Sequence, residues 1–265
     1  MKETLIKIFN FFGFYRKRQI YGEQNDEINE RINDFISNYS PSYHFLETFF
    51  SNIKMSGLNP KVAFDVGSHK GGWTRSLLNY FDKTQCHLFE PQIKLHQYCA
   101  DLSSKDNISI HTLGVGEISG KKVFTYVDRE DSCTFSFSEN EAKEKGFRQE
   151  LLEVVSLNDF ASKGNIPIPE IIKIDAECLD LEVLKGATNL LGKVDVILVE
   201  CAVGDPNLQN EIYSVINFMY KNNYRIFEVT DMIRSFGNIT WMCEIAFVLK
   251  DGIVDSFDYS KNSCA

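Results

Sequence analysis

The chain has 265 residues, of which 43% are hydrophobic and 13% aromatic, so it is long and apolar enough to bury a sizeable core. Its 28 basic and 37 acidic residues give a formal net charge of −9 at pH 7, and an acidic chain is poorly suited to holding a phosphate backbone. These numbers indicate a globular protein, and we expect no nucleic-acid partner.

The cysteine and histidine residues indicate a reducing compartment and no zinc. The 7 cysteines show no C-x-x-C spacing, and their odd number is typical of reduced thiols. The 5 histidines show no H-x-x-x-H or H-E-x-x-H spacing. We therefore predict a cytoplasmic protein, and we predict no metal site.

The first 20 residues combine an apolar face with positive charge. Apolar residues recur with helical spacing from Leu5 to Phe12, and basic residues follow at 16–18. The segment lacks the order of features of a secretory signal, and no run approaches the roughly 20 apolar residues of a membrane-spanning helix. Two interpretations stay open. Residues 1–20 pack on the body or on a second copy of the chain, or they rest on an anionic membrane at its inner surface.

Helical spacing over residues 26–55, with a break near Pro41, predicts a helical N-terminal extension over residues 1–57. From residue 58 to 265, short apolar runs alternate with amphipathic ones, which is typical of a mostly parallel sheet with helices on both faces. No helix-length segment separates the last two runs, so we predict an antiparallel strand at the edge. The strand-like runs include "VAFDV", "CHLFE", "ISIHTLGV", "EIIKIDA", "VDVILVE", "YRIFEV" and "CEIAFVLK".

Residues 117–160 interrupt this alternation as an insertion. They contain "KKVFTYV", a polar segment over 128–147 and "LLEVVSL", which we interpret as strands around a loop. The polar segment is a candidate lid over an acceptor, and it would supply Asp131 or Ser132.

Acidic residues close three of the predicted strands. Asp65 ends the first, Glu90 ends the second, and Asp175 and Glu177 end the run "IIKIDAE". In an open α/β sheet, ligands bind beyond the carboxyl ends of the strands. Because neighbouring carboxylates repel and desolvate each other, a purely structural protein gains little from gathering them there. The pattern therefore predicts a ligand site at this edge.

The turn after the first strand reads D-V-G-S-H-K-G. Gly67 and Gly71 would let a ligand approach the backbone and the start of the next helix. Glu90 lies 23 residues beyond Gly67, the separation expected of a carboxylate that accepts hydrogen bonds from ribose hydroxyls. Together these features predict a ligand that contains adenosine.

The turn does not match the G-x-G-x-x-G of a dinucleotide site, which argues against a nicotinamide dehydrogenase. An acid before the first glycine would repel a pyrophosphate, whereas it suits a cofactor that carries an ammonium and a sulfonium group. S-adenosylmethionine fits that description, so we predict that Asp65 faces this cofactor.

Four stretches resemble the FkbM-type methyltransferases, a branch of the class I S-adenosylmethionine-dependent fold: "KVAFDVGSHKGGWT", "HLFEP", "EIIKIDAECLDLEVLKGA" and "VDVILVE". The resemblance covers about residues 60–250 and implies a Rossmann-like fold with a mostly parallel seven-stranded sheet and an antiparallel edge strand. Residues 58–265 would form the methyltransferase domain, and the insertion at 117–160 would belong to it.

By position, the resemblance implies roles for individual residues. Asp175 and Glu177 would face the transferred methyl group and the acceptor, with Asp175 the first candidate for the base and Glu177 the second. Alternatively, Asp175 only binds the cofactor amine and Glu177 only orders its turn. A lone histidine such as His69 is more often a loop hydrogen-bonding residue than a base. The cofactor-binding set would be Asp65, Gly67, Ser68, His69 and Gly71 in the methionine-binding loop, Glu90 and Pro91 at the ribose, Gly114 near the adenine, and Asp175.

Two positions depart from the family pattern. Cys178 stands where the family has glycine, and Asp180 stands where it has glutamate. The first departure bears on the backbone turn beside the acceptor.

The resemblance further implies an O-methyltransferase that acts on a sugar hydroxyl of a glycan or glycan precursor, of the capsule or lipopolysaccharide type. Alternatives are an N-methyltransferase for a small molecule and a cofactor-binding regulatory module that has lost catalysis. The expected partner is a small-molecule or glycan acceptor.

Overall fold

The computed structural model describes residues 45–234 and 239–259. The interpretations of residues 1–20, as a membrane-binding or subunit-binding segment, lie outside the described residues. Within the described residues, no helix is both long enough and apolar enough to cross a membrane.

The strands of the described residues form two sheets. The large sheet has seven strands in the order β3-β2-β1-β7-β8-β10-β9, and the small sheet has the order β4-β6-β5. The strands are β1 (Val62–Val66), β2 (Gln85–Phe89), β3 (Ile108–His111), β4 (Gly114–Val115), β5 (Gly120–Tyr126), β6 (Arg148–Val155), β7 (Ile171–Ile174), β8 (Val196–Ala202), β9 (Tyr224–Arg234) and β10 (Thr240–Leu249).

The predicted α/β fold with a mostly parallel, seven-stranded sheet is confirmed. Strands β3, β2, β1, β7 and β8 pair in parallel. Strand β10 pairs antiparallel with both β8 and β9, so the antiparallel strand lies next to the outermost strand at this edge. Every residue of β1 and β7 is buried, because these central strands are covered on both faces.

Helices cover the sheet and connect its parallel strands. The helices are α1 (Phe45–Met55), α2 (Gly72–Tyr80), α3 (Ala100–Ser103), α4 (Glu139–Lys145), α5 (Leu157–Lys163), α6 (Asp180–Lys185) and α7 (Ile212–Lys221), with short 3-10 turns at Ile93–Cys99 and Glu130–Ser132.

Helix α1 belongs to the hydrophobic core of the sheet. Phe49, Phe50 and Ile53 are fully buried, and the Phe50 ring contacts the Trp73 ring of α2 edge-on at a centroid distance of 5.6 Å. The last residues of the predicted extension therefore pack within the main body. The domain boundary after residue 57 stays a prediction.

The insertion supplies two of the three strands of the small sheet, β5 and β6, and folds more regularly than a loop. Its polar segment contains helix α4, which begins at a capping box formed by Ser138 and Glu141. The run "ISIHTLGV", which we interpreted as one strand, forms β3 and β4 in different sheets. The run "LLEVVSL" ends as a strand at Val155, because the Ser156 hydroxyl accepts a hydrogen bond from the Asp159 N–H and caps α5.

Candidate active site

An open cleft, called the main cleft here, lies beyond the carboxyl ends of β1, β2 and β7. The polar residues in its lining come from the turns after these strands and from the insertion, and the apolar residues come from strand ends and the small sheet. The lining residues are Val66, Gly67, His69, Phe89, Glu90, Pro91, Gln92, Leu113, Gly114, Val115, Phe124, Glu130, Asp131, Cys133, Thr134, Phe135, Asp175, Ala176 and Glu177.

Asp65 does not line the main cleft, so its side chain is not exposed to this space, and its role toward the cofactor stays a prediction. Its carboxylate is fully buried, and it accepts a hydrogen bond of 2.6 Å from the Thr74 hydroxyl. The Lys173 ammonium lies 3.7 Å from its other oxygen. Burial raises the pKa of Asp65, while Lys173 and Thr74 oppose that rise. The side chain thus points into the protein beneath the turn.

The glycines of the turn are required by protein neighbours. Gly67 and Gly71 have φ values of 69° and 76°, which favour glycine. A Cβ atom on Gly67 would lie 1.8 Å from the Asp175 carbonyl oxygen, and one on Gly71 would lie 2.5 Å from the Leu102 side chain. Protein neighbours alone therefore account for both glycines, and the close approach of a ligand stays a prediction. Gly67 lines the main cleft, whereas Gly71 and the buried Ser68 do not.

His69 lines the main cleft with a backbone held in place by Glu90. The His69 φ is 48°, and its N–H donates a hydrogen bond of 3.0 Å to Glu90 Oε2. Burial and the neighbouring Lys70 lower the pKa of the His69 imidazole. Its Nε2 is buried without a hydrogen-bond partner among the described residues, so this atom can accept or donate one bond to a ligand.

Glu90 lies at the end of β2, as predicted, and is 4% exposed. Its second oxygen, Oε1, accepts a 2.8 Å hydrogen bond from the Gln92 N–H. Each carboxylate oxygen can accept a further bond, so Glu90 remains able to bind hydroxyl groups in the cleft. Burial raises the pKa of Glu90, and the bonds from Gln92 and His69 oppose that rise.

Our sequence analysis did not identify Gln92 as a site residue. It follows Glu90 and Pro91 in the chain and lines the main cleft with them. Its Nε2 donates a 2.8 Å hydrogen bond to the Glu130 carbonyl oxygen of the insertion, and its Oε1 is buried without a partner among the described residues. Two unpartnered polar atoms, Gln92 Oε1 and His69 Nε2, thus belong to residues that line the same cleft. Buried polar atoms are normally hydrogen-bonded, so this pair fits a polar ligand.

Apolar residues form part of the wall of the main cleft. Phe89, Leu113, Phe124 and Phe135 contribute to it. Gly114 also lines this wall, and a Cβ atom there would lie 2.5 Å from the Phe135 ring. A wall of this kind suits a flat ring such as adenine. Because Gly114 has no side chain, the Phe135 ring can lie close to its backbone.

Asp175 and Glu177 both line the main cleft at the end of β7. Lys173 Nζ, which is buried, lies 3.1 Å from Asp175 Oδ2 and donates a hydrogen bond of 3.0 Å to the Gly67 carbonyl oxygen. Burial alone lowers the pKa of Lys173, but Asp175 and Asp65 raise it above its ordinary value. Lys173 therefore stays charged and holds Asp175 beside the glycine turn.

Glu177 and Cys178 form a left-handed turn after β7. Their φ values are 51° and 75°, and the Glu177 carbonyl oxygen accepts a 2.9 Å hydrogen bond from the Thr134 hydroxyl of the insertion. The next acid, Asp180, is fully buried and accepts bonds from the Ala176 N–H and the Asn210 amide. Asp180 thus stabilises this turn from the protein interior. The positive φ of Cys178 is a physical reason for the glycine that the resemblance implies at this position.

Replacing Cys178 with glycine is expected to stabilise the protein. A non-glycine residue in the left-handed region costs about 1 kcal/mol, and glycine removes that cost. We expect Cys178→Gly to have a free energy of unfolding about 1 kcal/mol above that of Cys178→Ala, which loses the thiol but keeps the strain. Urea unfolding of the two variants measures the difference. Equal stabilities would show that the turn is not strained.

A second cavity adjoins the main cleft beyond β8, β10 and β9. Asp175 lines both spaces, and among the described residues it is the one common to the two linings. The other lining residues of the second cavity are Glu200, Asp231, Ile233, Met242, Cys243 and Glu244. Glu200 closes the strand-like run "VDVILVE", so the rule that singled out Asp65, Glu90 and Asp175 also applies to it.

Several carboxyl groups that line these spaces or lie beneath the β7 turn have raised pKa values, chiefly because they are desolvated. The pKa is about 8 for Glu177 and about 7 for Asp180 and Glu244, and that of Glu200 is also raised. Asp175 contributes to the rise in each case. At neutral pH, the folded protein therefore binds protons that these groups release in the unfolded chain.

The free protein is expected to lose stability as the pH rises from 7.0 to 8.5. A carboxyl group with a raised folded pKa binds more protons when folded, so the unfolding free energy falls with pH, by about 1.4 kcal/mol per pH unit for one full extra proton. Histidines with lowered pKa, such as His87, act below this window. Differential scanning fluorimetry should show a falling melting temperature and a shallower slope in Glu177→Gln. The exposed Glu153→Gln is the control, and a slope unchanged in Glu177→Gln would contradict the assignment.

The insertion covers the main cleft and is held there by three contacts. Lys70 in the glycine turn pairs with Glu130, Gln92 bonds the Glu130 carbonyl, and Thr134 bonds the Glu177 carbonyl. Asp131 lines the cleft, and Ser132 does not. Asp131 is thus the residue of the predicted pair that reaches the main cleft, and the role of the polar segment as a lid over an acceptor stays a prediction.

In the part of the chain that the structure describes, no group of three or more His, Cys, Asp or Glu side chains is placed to hold a metal ion.

Comparison with known proteins identifies the family. The family model described as "Methyltransferase FkbM domain" matches residues 65–226, which is more than half of the chain and includes the glycine turn, Glu90 and the β7 turn. The fold is that of a class I S-adenosylmethionine-dependent methyltransferase. The chain belongs to the FkbM methyltransferase family, and its cofactor is S-adenosylmethionine.

The individual proteins that this chain resembles match it only over a short segment or at low sequence identity. The hexuronic acid methyltransferase AglP of Haloferax volcanii is 39% identical over 56 residues, 21% of this chain and 23% of that protein, so the match spans about a quarter of the relative. Solved structures include a magnesium protoporphyrin IX methyltransferase from Synechocystis PCC 6803 (13% identity, 94% of this chain and 97% of that one, TM-score 0.43). Another is the N-methyltransferase NodS from Bradyrhizobium japonicum WM9 (11% identity, 80% and 98%, TM-score 0.43).

Proposed function

We propose that this methyltransferase transfers a methyl group from S-adenosylmethionine to a sugar hydroxyl of a glycan or glycan precursor. The observation that carries the proposal is the position of Asp175, which lines both the main cleft and the second cavity. A carboxylate between a cofactor cleft and an adjoining space is in the place where a base is needed. The main cleft would hold the cofactor, and the second cavity would hold the acceptor.

The residues of the main cleft fit the parts of the cofactor. Glu90 is placed to accept hydrogen bonds from the ribose hydroxyls, and the wall around Phe135 and Gly114 suits the adenine. Gly67, His69 and Gln92 line the remaining part, where two polar atoms lack partners. When bound, S-adenosylmethionine supplies a methyl group activated by its sulfonium.

The chain's own contribution is to position the acceptor and to accept a proton. The bond from sulfur to the methyl carbon breaks as the bond from the acceptor oxygen to that carbon forms, and S-adenosylhomocysteine leaves with the electron pair on sulfur. We propose that Asp175 accepts the proton of the acceptor hydroxyl, and that Glu177 is the second candidate for this base. Such a displacement depends mainly on near-attack geometry, which the contact of Lys173 with Asp175 and Gly67 would maintain.

A sugar acceptor is supported by two observations. The resemblance over residues 60–250 implies the methylation of hydroxyl groups, and the partial relative AglP bears the name of a hexuronic acid methyltransferase. A capsule or lipopolysaccharide precursor in the cytoplasm, with residues 1–20 at the inner membrane surface or at a second copy of the chain, remains part of the proposal.

The experiment incubates the full chain with S-adenosylmethionine and a panel of methyl glycosides, and measures S-adenosylhomocysteine by mass spectrometry. We expect release with at least one sugar, and NMR of the product should place the new methyl group on oxygen. Simple amines are the second panel, and calorimetry with NAD is the cofactor control. Release with amines alone would contradict O-methylation, and tight NAD binding would contradict the cofactor assignment.

A further inference from the structure

The side chain of Gln92 joins the main cleft to the insertion. Gln92 is 4% exposed and lines the main cleft. Its backbone N–H donates a hydrogen bond to Glu90 Oε1, and its Nε2 donates one of 2.8 Å to the Glu130 carbonyl oxygen. One residue therefore contacts both the carboxylate that we propose for the ribose and a residue of the insertion that lines the cleft.

The amide of Gln92 is only half satisfied. Its Oε1 is buried and has no hydrogen-bond partner among the described residues. This oxygen can only accept a bond, and a buried acceptor without a partner costs free energy. If the amide turned over, its oxygen would face the Glu130 carbonyl oxygen, and the bond to the insertion would be lost. A ligand that donates to Oε1 would therefore hold the amide in the orientation that binds Glu130.

The other two contacts that hold the insertion at the cleft are complete without a ligand. Lys70 pairs with Glu130, and the Thr134 hydroxyl donates a 2.9 Å hydrogen bond to the Glu177 carbonyl oxygen. Lys70 does not line the main cleft. Of the three contacts, the one from Gln92 is made by a side chain with an unpartnered polar atom among the described residues. A ligand in the cleft can therefore act on the insertion through Gln92.

A ribose hydroxyl is the donor that fits Gln92 Oε1. Because the Gln92 N–H is bonded to Glu90, the Gln92 side chain begins beside the carboxylate that we propose for the ribose. Each oxygen of Glu90 already accepts one backbone N–H, from His69 or from Gln92, whereas Gln92 Oε1 accepts none from the described residues. Two neighbouring hydroxyls therefore find two acceptors here, Glu90 and Gln92.

We propose that Gln92 is a positioning residue that couples cofactor binding to the insertion. A ribose hydroxyl of the cofactor donates a hydrogen bond to Gln92 Oε1, the amide then holds the Glu130 carbonyl oxygen more firmly, and the insertion is fixed at the site before the methyl acceptor enters. The inference rests on the proposed function, which places the cofactor in the main cleft, and it adds an order of binding: cofactor first, methyl acceptor second.

The experiment measures hydrogen exchange in the full chain with and without saturating S-adenosylhomocysteine. The amides of Ser132 and Thr134 report on the insertion, because they donate to the carbonyl oxygens of Arg129 and Thr125 and exchange when the segment opens. We expect the ligand to slow their exchange about fivefold, the factor that one neutral hydrogen bond supplies. Calorimetry on the same preparation gives the affinity and shows that the site is saturated.

The variant Gln92→Met keeps the length of the side chain and removes both of its side-chain hydrogen bonds. We expect it to bind S-adenosylhomocysteine about fivefold more weakly. Once it is saturated, exchange at the two reporting amides should be the same as in the ligand-free variant. A loss of affinity alone would follow from any damage to the cleft, whereas a bound ligand that no longer acts on the insertion is specific to coupling.

Two further variants separate coupling from a merely structural role. Lys70→Met removes the ion pair with Glu130, so it should speed exchange in the free and the bound protein alike and keep the fivefold effect of the ligand. Gln97→Met is the matched control. The Gln97 amide also donates to a carbonyl oxygen, that of Lys94 at 2.8 Å, but Gln97 is exposed and lines neither space. It should behave as wild type.

The methyl acceptor gives a second measurement, because coupling between two ligands is reciprocal. A sugar that releases S-adenosylhomocysteine in the panel should bind wild type about fivefold more tightly when S-adenosylhomocysteine is present. In Gln92→Met the two affinities should be equal. A sugar that binds wild type equally well in both conditions would contradict the order of binding.

The exchange data also distinguish the inference from the proposed function. If S-adenosylhomocysteine slows the insertion amides equally in wild type and Gln92→Met, or in neither, the inference is overturned and the proposed function stands. If the ligand leaves exchange unchanged at the amides of Glu90 and Gln92 as well, the cofactor does not bind in the main cleft. That part of the proposed function then fails, and the inference falls with it.

Discussion

The Asp175→Asn enzyme is expected to turn over at least about a hundredfold more slowly than wild type, since loss of a positioned base typically costs a factor of 100 or more. The amide keeps the shape of the side chain, can still accept a hydrogen bond from Lys173, and cannot take up the acceptor proton. We expect the affinity for S-adenosylmethionine to change by less than about threefold, because the main cleft keeps Glu90, His69 and Gln92. Steady-state kinetics and calorimetry on the same preparation measure the two quantities.

The matched control for Asp175→Asn is Asp101→Asn. Asp101 also pairs with a cation, Arg75 at 2.6 Å, but it is exposed and lines neither space. We expect it to behave as wild type. If Asp175→Asn loses cofactor affinity and turnover in the same proportion, Asp175 only binds the cofactor amine, and the assignment of the base is wrong.

Replacing Glu90 with glutamine is expected to weaken cofactor binding by about 10- to 100-fold. The Glu90 carboxylate accepts the N–H groups of His69 and Gln92 through its two oxygens. A glutamine has one acceptor oxygen, so its NH₂ group would face one of these N–H groups, and the ribose would lose a charged acceptor. We expect turnover at saturating cofactor to fall much less. Calorimetry with S-adenosylmethionine and saturation kinetics separate the two effects.

Glu170→Gln is the control for Glu90→Gln. Glu170 accepts hydrogen bonds from the N–H groups of Lys61 and Val62, both at 2.9 Å, so it also holds backbone with a carboxylate. It lies before β7, at the amino end of the strands and away from both spaces. Glu170→Gln should bind the cofactor as wild type does. An equal loss of affinity in both variants would show that Glu90 acts through stability alone.

The strand pattern allowed most of the large sheet to be predicted. The runs "VAFDV" and "VDVILVE" are mostly apolar. Strand β1 coincides with the first run, and strand β8 overlaps the second. An apolar run bounded by turn residues is a local signal that survives folding. The small sheet was harder, because strand β4 has two residues and its pairing with β6 is a contact between distant parts of the chain.

The site was only partly predictable. The position of Asp65 at a strand end was readable, but the direction of its side chain was not, because it is decided by Lys173 and Thr74. The alignment of Glu200, Glu244 and Asp231 across β8, β10 and β9 was also hidden. It depends on the register of β10 between β8 and β9, and β9 and β10 carry a bulge beside Glu244. Residues far apart in sequence become neighbours only through that register.

The close approach at Gly67 has a consequence for the spacing of donor and acceptor. The turn after β1 touches the turn after β7 through backbone atoms, with no room for a side chain between Gly67 and the Asp175 carbonyl oxygen. The Asp175 N–H also bonds the Val66 carbonyl oxygen at 3.1 Å. In the proposed arrangement, the distance between the part of the site that binds the methyl donor and the part that binds the acceptor would therefore be set by main-chain geometry. This backbone contact keeps the distance between the two turns constant, because it involves no side chain whose rotamer could change that distance.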